Sequence, residues 1–147
     1  MKAKDCIDES VLEIRIVDSW PIDEIVELYK AGGWWKETYN KSGIPALIVG
    51  SFLFGVAVDS QTEKAIGMGR VLSDGVSDAY IQDFVILPKY RRCGIGKKLI
   101  QTLVHQCLSL GIQWIGLIAE PGSEFFYTDS GFRPMERHTP MRFHMEE

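Results

Sequence analysis

Ile81-Gln82-Asp83-Phe84-Val85-Ile86-Leu87-Pro88-Lys89-Tyr90-Arg91-Arg92-Cys93-Gly94-Ile95-Gly96-Lys97-Lys98-Leu99-Ile100 decides the fold. The stretch reads as an apolar strand, a short basic turn with two glycines and the start of an amphipathic helix. A strand that feeds a helix through such a turn leaves the first amide N–H groups of the helix unpaired and pointing outward. The positive end of the helix dipole reinforces them, so the turn suits an anion. Gly94 and Gly96 carry no side chain to hold a phosphate off the backbone. Arg91, Arg92, Lys97 and Lys98 bring positive charge beside it. A plain strand–turn–helix with a basic surface turn is the alternative reading.

Arg91-Arg92-Cys93-Gly94-Ile95-Gly96 resembles the Arg/Gln-x-x-Gly-x-Gly/Ala signature of the GNAT superfamily of N-acetyltransferases. Rival phosphate motifs fit less well. No Gly-x-x-x-x-Gly-Lys-Ser/Thr occurs, and the third glycine of a dinucleotide fingerprint would stand where the chain has Leu99. The resemblance implies that residues 91 to 97 hold the pyrophosphate of acetyl-coenzyme A. It also implies that the backbone of Phe84, Val85 and Ile86 pairs with the pantetheine arm. An N–H near Val85 or Ile86 would then polarise the thioester carbonyl.

Outward from this stretch, the N-terminal half alternates short apolar segments with turns. Residues 11–17 read as a strand. Asp18 or Ser19 is expected to cap a helix with Pro21 in its first turn and the stripe Ile22, Ile25, Val26, Leu28 and Tyr29, stopped by Gly32-Gly33. A loop or irregular helix, Trp34-Trp35-Lys36-Glu37-Thr38-Tyr39, precedes a short helix over 44–49. Residues 52–58 and 64–72 form a hairpin, and Ser73-Asp74-Gly75-Val76-Ser77-Asp78 turns into the strand 79–87. The long helix carries Leu99, Ile100, Leu103, Val104, Cys107 and Leu108 on one face and ends near Gly111. A buried strand over 114–119, a short helix capped by Ser123 and two weak strands around Pro140 complete the order. The class is α+β: a largely antiparallel sheet with one parallel crossover through the long helix. In the family that this order resembles, the central strand pair splays to admit coenzyme A.

Of the 147 residues 46% are hydrophobic and 24% charged, which suits one compact domain over 1–147. The net charge of −4 and pI ≈ 5.4 oppose a broad nucleic-acid-binding face and weakly favour a cationic partner such as an amine. No apolar run reaches membrane-spanning length, and Met1-Lys2-Ala3-Lys4-Asp5 is too polar for a signal peptide, so a cytoplasmic protein is expected. Cys6, Cys93 and Cys107 show no paired spacing, and Cys107 is expected as a reduced core residue. His105, His138 and His144 lack ligand spacing, so no metal is expected.

Acetyl transfer to an amine requires a proton to leave the ammonium and the departing thiolate to be stabilised. Phe126-Tyr127-Thr128-Asp129-Ser130-Gly131-Phe132 resembles the family pattern Phe/Leu-Tyr-x-x-x-Gly-Phe, which implies Tyr127 near the coenzyme sulfur; a packed aromatic is the alternative. Asp83 interrupts an apolar strand beside the thioester site, where partial desolvation would raise its pKa and suit a base. A carboxylate satisfied by backbone donors or an arginine is the other reading. Asp74 and Asp78 bind the acceptor ammonium or serve as turn residues. Trp34, Trp35 and Tyr39 bind the acceptor or pack as hydrophobes. Where the family often has an asparagine, this chain has Glu120. The expectation is an acetyl-coenzyme A-dependent N-acetyltransferase acting by direct attack in a ternary complex, with a dimer usual in the family. A non-catalytic acyl-coenzyme A sensor, or a subunit of an acetyltransferase complex, is the rival.

Overall fold

The computed structural model describes residues 6–146. They divide into two compact units, one up to Leu117 and one from Ile118. The first unit holds strands β1 (Leu12–Ile16), β2 (Leu53–Asp59), β3 (Lys64–Ser73), β4 (Asp78–Ile86) and β5 (Trp114–Leu117). Its helices are α1 (Ile22–Ala31), α2 (Ile44–Gly50) and α3 (Ile95–Ser109), and the second unit contains α4 (Glu124–Asp129). The sheet runs β1-β2-β3-β4-β5, antiparallel except for the parallel β4–β5 pair that the α3 crossover creates.

Helices cover both faces of this sheet, which is why every residue of β2 is buried rather than every second one. On one face Ile25, Leu28 and Tyr29 of α1 and Ile48 of α2 pack with Val56, Val58, Met68 and Val85. On the other, the cross-strand partners Gly55 and Gly69 make a flat seat for α3. A Cβ would stand 3.0 Å from the Leu103 side chain at Gly55 and 3.1 Å from it at Gly69, so larger residues there would push the helix away. Glu24 pins α1 to the sheet by accepting hydrogen bonds from the Ala65 N–H at 2.8 Å and the Trp20 indole at 3.1 Å.

Three helices stop in the same way. A glycine in the left-handed region follows each one: Gly33 (φ 78), Gly111 (φ 87) and Gly131 (φ 102). The next N–H then reaches back five residues, from Trp34 to Tyr29, Ile112 to Cys107 and Phe132 to Tyr127. This ending, written into the sequence by the glycines, folds an aromatic back onto a tyrosine at α1 and at α4.

Several expectations need correction. α1 has no Asp18 or Ser19 cap: Pro21 stands at its N-cap without a side-chain bond. Strand β5 is shorter than 114–119 and is not fully buried, with Trp114 41% exposed. No strand forms around Pro140 among the described residues; 133–146 are all exposed, so pairing there would bury no apolar face. Cys107 is a free, buried thiol. Cys6 and Cys93, however, are joined by a disulfide across 87 residues. Sequence spacing has no access to that pair, because the fold brings the two residues together.

Candidate active site

β4 is two structures in one. Its first part pairs in parallel with β5, from Asp78↔Trp114 to Ile81↔Leu117. Among the described residues, the rest of the strand, to Ile86, pairs only with β3, and a bulge interrupts that pairing. Met68 faces Val85 and Arg70 faces Gln82, so Gly69 opposes both Asp83 and Phe84. Asp83 takes φ 55, the left-handed region that costs most side chains about 1–2 kcal/mol and that aspartate tolerates better than most. The Phe84 ring lies over Gly69, where a Cβ would approach it to 2.7 Å.

Two hydrogen bonds hold the bulged aspartate. Tyr29 Oη donates to Asp83 Oδ2 at 2.8 Å, and Arg70 Nε donates to the same oxygen at 2.7 Å in a partly buried ion pair. Of the two readings of Asp83, a partner arginine is therefore present. Both bonds fall on Oδ2, and none falls on Oδ1 among the described residues. Burial first, and then the Asp83 charge, push the Tyr29 phenol upward, so Tyr29 stays a donor throughout the neutral range. Sequence reasoning missed Tyr29 and Arg70 as site residues. One charge inside each of two apolar strands, Arg70 and Asp83, was the available signal.

After Leu87, a single 3-10 turn (Pro88–Tyr90) leads to the basic turn and α3. Gly94 stands at the helix N-cap with φ 79; no side chain caps the helix, and its first turn contains no acidic residue. Gly96 and Lys97 belong to that first helical turn rather than to the turn before it. A Cβ at Gly94 would meet nothing within 4 Å, so its outer side is open to a ligand. Arg92, also left-handed at φ 63, Lys97 and Lys98 are exposed around it. Arg91 also braces the strand that leads here. Its Nε donates to the Ile86 carbonyl at 2.8 Å and its Nη2 to the Ala31 carbonyl at 3.4 Å, which ties the end of β4 to the end of α1. An amide-rich helix start with added cations and no acidic residue in its first turn fits a diphosphate.

The aromatic segment after α1 surrounds Tyr29. Ring centroids lie 6.3 Å from Tyr29 to Trp34, 6.4 Å from Tyr29 to Trp35 and 5.5 Å from Trp35 to Tyr39. Trp34 and Trp35 also pack against the α1–α2 core, so the packing reading holds for both. Trp35 and Tyr39 line an open groove of about 440 Å³ with Asp23, Glu27, Glu37 and Lys41. Asp74 lies in its turn as the other expectation described. Its carboxylate accepts from the Val76 and Ser77 N–H groups at 2.7 and 2.8 Å and from Ser77 Oγ at 3.0 Å. The two amide bonds lead in holding its pKa below the ordinary carboxylate value.

In the second unit, Tyr127 sits between Phe126 (centroids 4.9 Å) and Phe132 (5.9 Å). The Gly131 reversal brings Phe132 back, which gives a physical reason for the Tyr-x-x-x-Gly-Phe spacing. Burial, with a smaller push from the Glu120 charge, raises the Tyr127 phenol to about 12. Among the described residues, no group of three His, Cys, Asp or Glu side chains is placed to hold a metal ion.

A mixed five-stranded sheet whose fourth strand bulges and runs into an uncapped, glycine-led helix defines an acyltransferase-type architecture. The sequence profile of the Acetyltransferase (GNAT) family matches residues 19–132, and the chain belongs to that family. It is 31% identical over 109 residues to an uncharacterised N-acetyltransferase of Pyropia yezoensis, covering 74% of this chain and 63% of that relative. The matched region thus spans less than two thirds of the relative's length. A GNAT family acetyltransferase from Streptococcus pneumoniae superposes with a TM-score of 0.76 at 24% identity, over 92% of this chain and 99% of the other. AAC(6')-Iy, solved with the bisubstrate analogue CoA-S-monomethyl-acetylneamine, superposes with a TM-score of 0.71 at 17% identity, over 91% and 99%. Among the described residues, no helix is long and apolar enough to cross a membrane.

Proposed function

We propose that this chain transfers the acetyl group of acetyl-coenzyme A to a primary amine by direct attack. The observation that carries the reading is the continuity of β4 beyond its parallel pairing, through the bulge, into the uncapped start of α3. In this reading the amides of residues 93 to 97 and the Arg92 and Lys97 side chains receive the diphosphate. The backbone of Phe84, Val85 and Ile86 receives the pantetheine arm, and an N–H of Val85 or Ile86 polarises the thioester carbonyl. The coenzyme supplies an activated acyl group: the amine nitrogen bonds to the carbonyl carbon, the C–S bond breaks, and the sulfur leaves as a thiolate.

Asp83 handles the ammonium. Its Oδ1 accepts from the amine, and the proton passes to the carboxylate or to water, while Arg70 and Tyr29 keep Oδ2 in place. Trp34, Trp35 and Tyr39 offer aromatic faces to the cationic acceptor. Tyr127 donates a hydrogen bond to the departing thiolate. A phenol held at about 12 keeps its proton through the working pH range, so it serves as a donor without having to ionise.

Purified protein mixed with acetyl-coenzyme A and a library of amines tests this through release of free thiol. Turnover with one class of amine is expected. Tyr127→Phe should lower kcat about a hundredfold and leave the KM for the coenzyme unchanged. Unaltered turnover in that variant would remove Tyr127 from the mechanism. Coenzyme binding without thiol release from any amine would favour the sensor.

A further inference from the structure

Cys93 occupies the middle of the proposed diphosphate turn, between two residues in the left-handed region, Arg92 (φ 63) and Gly94 (φ 79). Glycine adopts that conformation freely, but arginine does so at a cost. A loop that needs Arg92 left-handed therefore relaxes toward other shapes unless something holds it. The structure supplies a holder from outside the loop: the disulfide to Cys6, in the segment that precedes β1, with Cα atoms 5.5 Å apart. Cys6 is exposed and Cys93 half-buried, so a reductant can reach the bond. The bridged loop nevertheless leaves Arg92, Gly94 and Lys97 exposed. The bridge braces the turn without covering its outer side.

We infer that Cys6 and Cys93 form a reversible thiol–disulfide site whose bonded form holds the turn ready for coenzyme A. This inference rests on the proposed coenzyme site and adds its regulation. A dithiol, small or protein-borne, gives two electrons and two protons to the sulfur–sulfur bond. It leaves as a cyclic disulfide and releases the Cys6 and Cys93 thiols. The freed turn then samples other conformations, and ligand binding must restore Arg92 to its left-handed state. Bonded protein consequently binds coenzyme A more tightly than reduced protein. Cys107, buried in the α3 stripe, takes no part.

The test uses the full chain and desulfo-coenzyme A, which has no thiol to exchange. Protein oxidised with glutathione disulfide should show one titratable thiol in denaturant and reduced protein three, given three cysteines in the chain. By calorimetry, the oxidised form should bind roughly tenfold more tightly than the dithiothreitol-reduced form, the factor that relieving about 1.4 kcal/mol of loop strain provides. Cys6→Ser, which changes no residue of the turn, should match the reduced wild type with or without dithiothreitol. Equal affinities, tighter binding after reduction, or three thiols after oxidation would each overturn the inference while the coenzyme site stands. No binding by any of the three proteins would overturn the proposed function and this inference together.

Discussion

Two turns flank β4, and they dispose of their backbone in opposite ways. The turn at 73–78 is self-contained. Asp74 satisfies the Val76 and Ser77 amides, and Ser73 Oγ bonds the Gly75 N–H at 3.0 Å and the Asp78 carbonyl at 2.7 Å. At the turn at 91–96, no side chain among the described residues caps the head of α3, and the turn's own charges are cationic. Both rely on a glycine at almost the same φ, Gly75 at 81 and Gly94 at 79. The glycines match, but the side chains around them do not. A turn that spends its own amides is architecture, and one that leaves them to an outside acceptor is a binding device.

The largest effect expected from breaking this contrast comes from Gly94→Asp. A carboxylate at the head of α3 would supply from within the anion that the turn otherwise takes from the coenzyme. Affinity for desulfo-coenzyme A should fall about a hundredfold by calorimetry, by repulsion at close range. An unchanged affinity would leave the two turns equivalent.

Gly75→Ala should act on stability alone. Its left-handed φ and a Cβ only 3.1 Å from the Phe52 ring predict a loss of about 1–2 kcal/mol in chemical denaturation. Coenzyme affinity should stay at the wild-type value; weakened binding would show that the first turn also serves the ligand. Asp74→Ala should have the smallest effect, lowering Tm by a few degrees with no change in the KM for the amine. Because the folded-state pKa of Asp74 is depressed, its contribution is present above the unfolded value of 3.8 and disappears as pH falls through the folded value. Thermal scans of wild type and variant should accordingly converge below pH 3.8. A raised KM with an unmoved Tm would instead restore Asp74 to the acceptor site.

How much of this was legible in the chain follows from the range of the interactions. The strand, turn and helix from Ile81 to Ile100 rest on local patterns: an apolar run, two glycines and a 3.6-residue stripe. The structure reproduces them with α3 starting at Ile95. The glycines at 33, 111 and 131 likewise announce helix ends. What escaped depends on register and on distant partners. The bulge at Asp83 exists because Gly69 opposes two residues, and its Arg70 and Tyr29 partners come from β3 and α1. The Cys6–Cys93 bond joins residues that no spacing rule connects. Around Pro140, apolar residues such as Met141 and Phe143 invited strands, but both side chains are exposed and give pairing nothing to bury.

Tyr80 on β4 and Trp114 on β5 meet at a tilt across the short parallel seam, with ring centroids 5.2 Å apart, and both remain half open to water. An indole beside a phenol at that range accepts its excitation energy, so the protein carries an optical gauge at the place where the two strands part. With Trp20, Trp34 and Trp35 replaced by phenylalanine, emission from Trp114 alone would report any widening of that seam in real time.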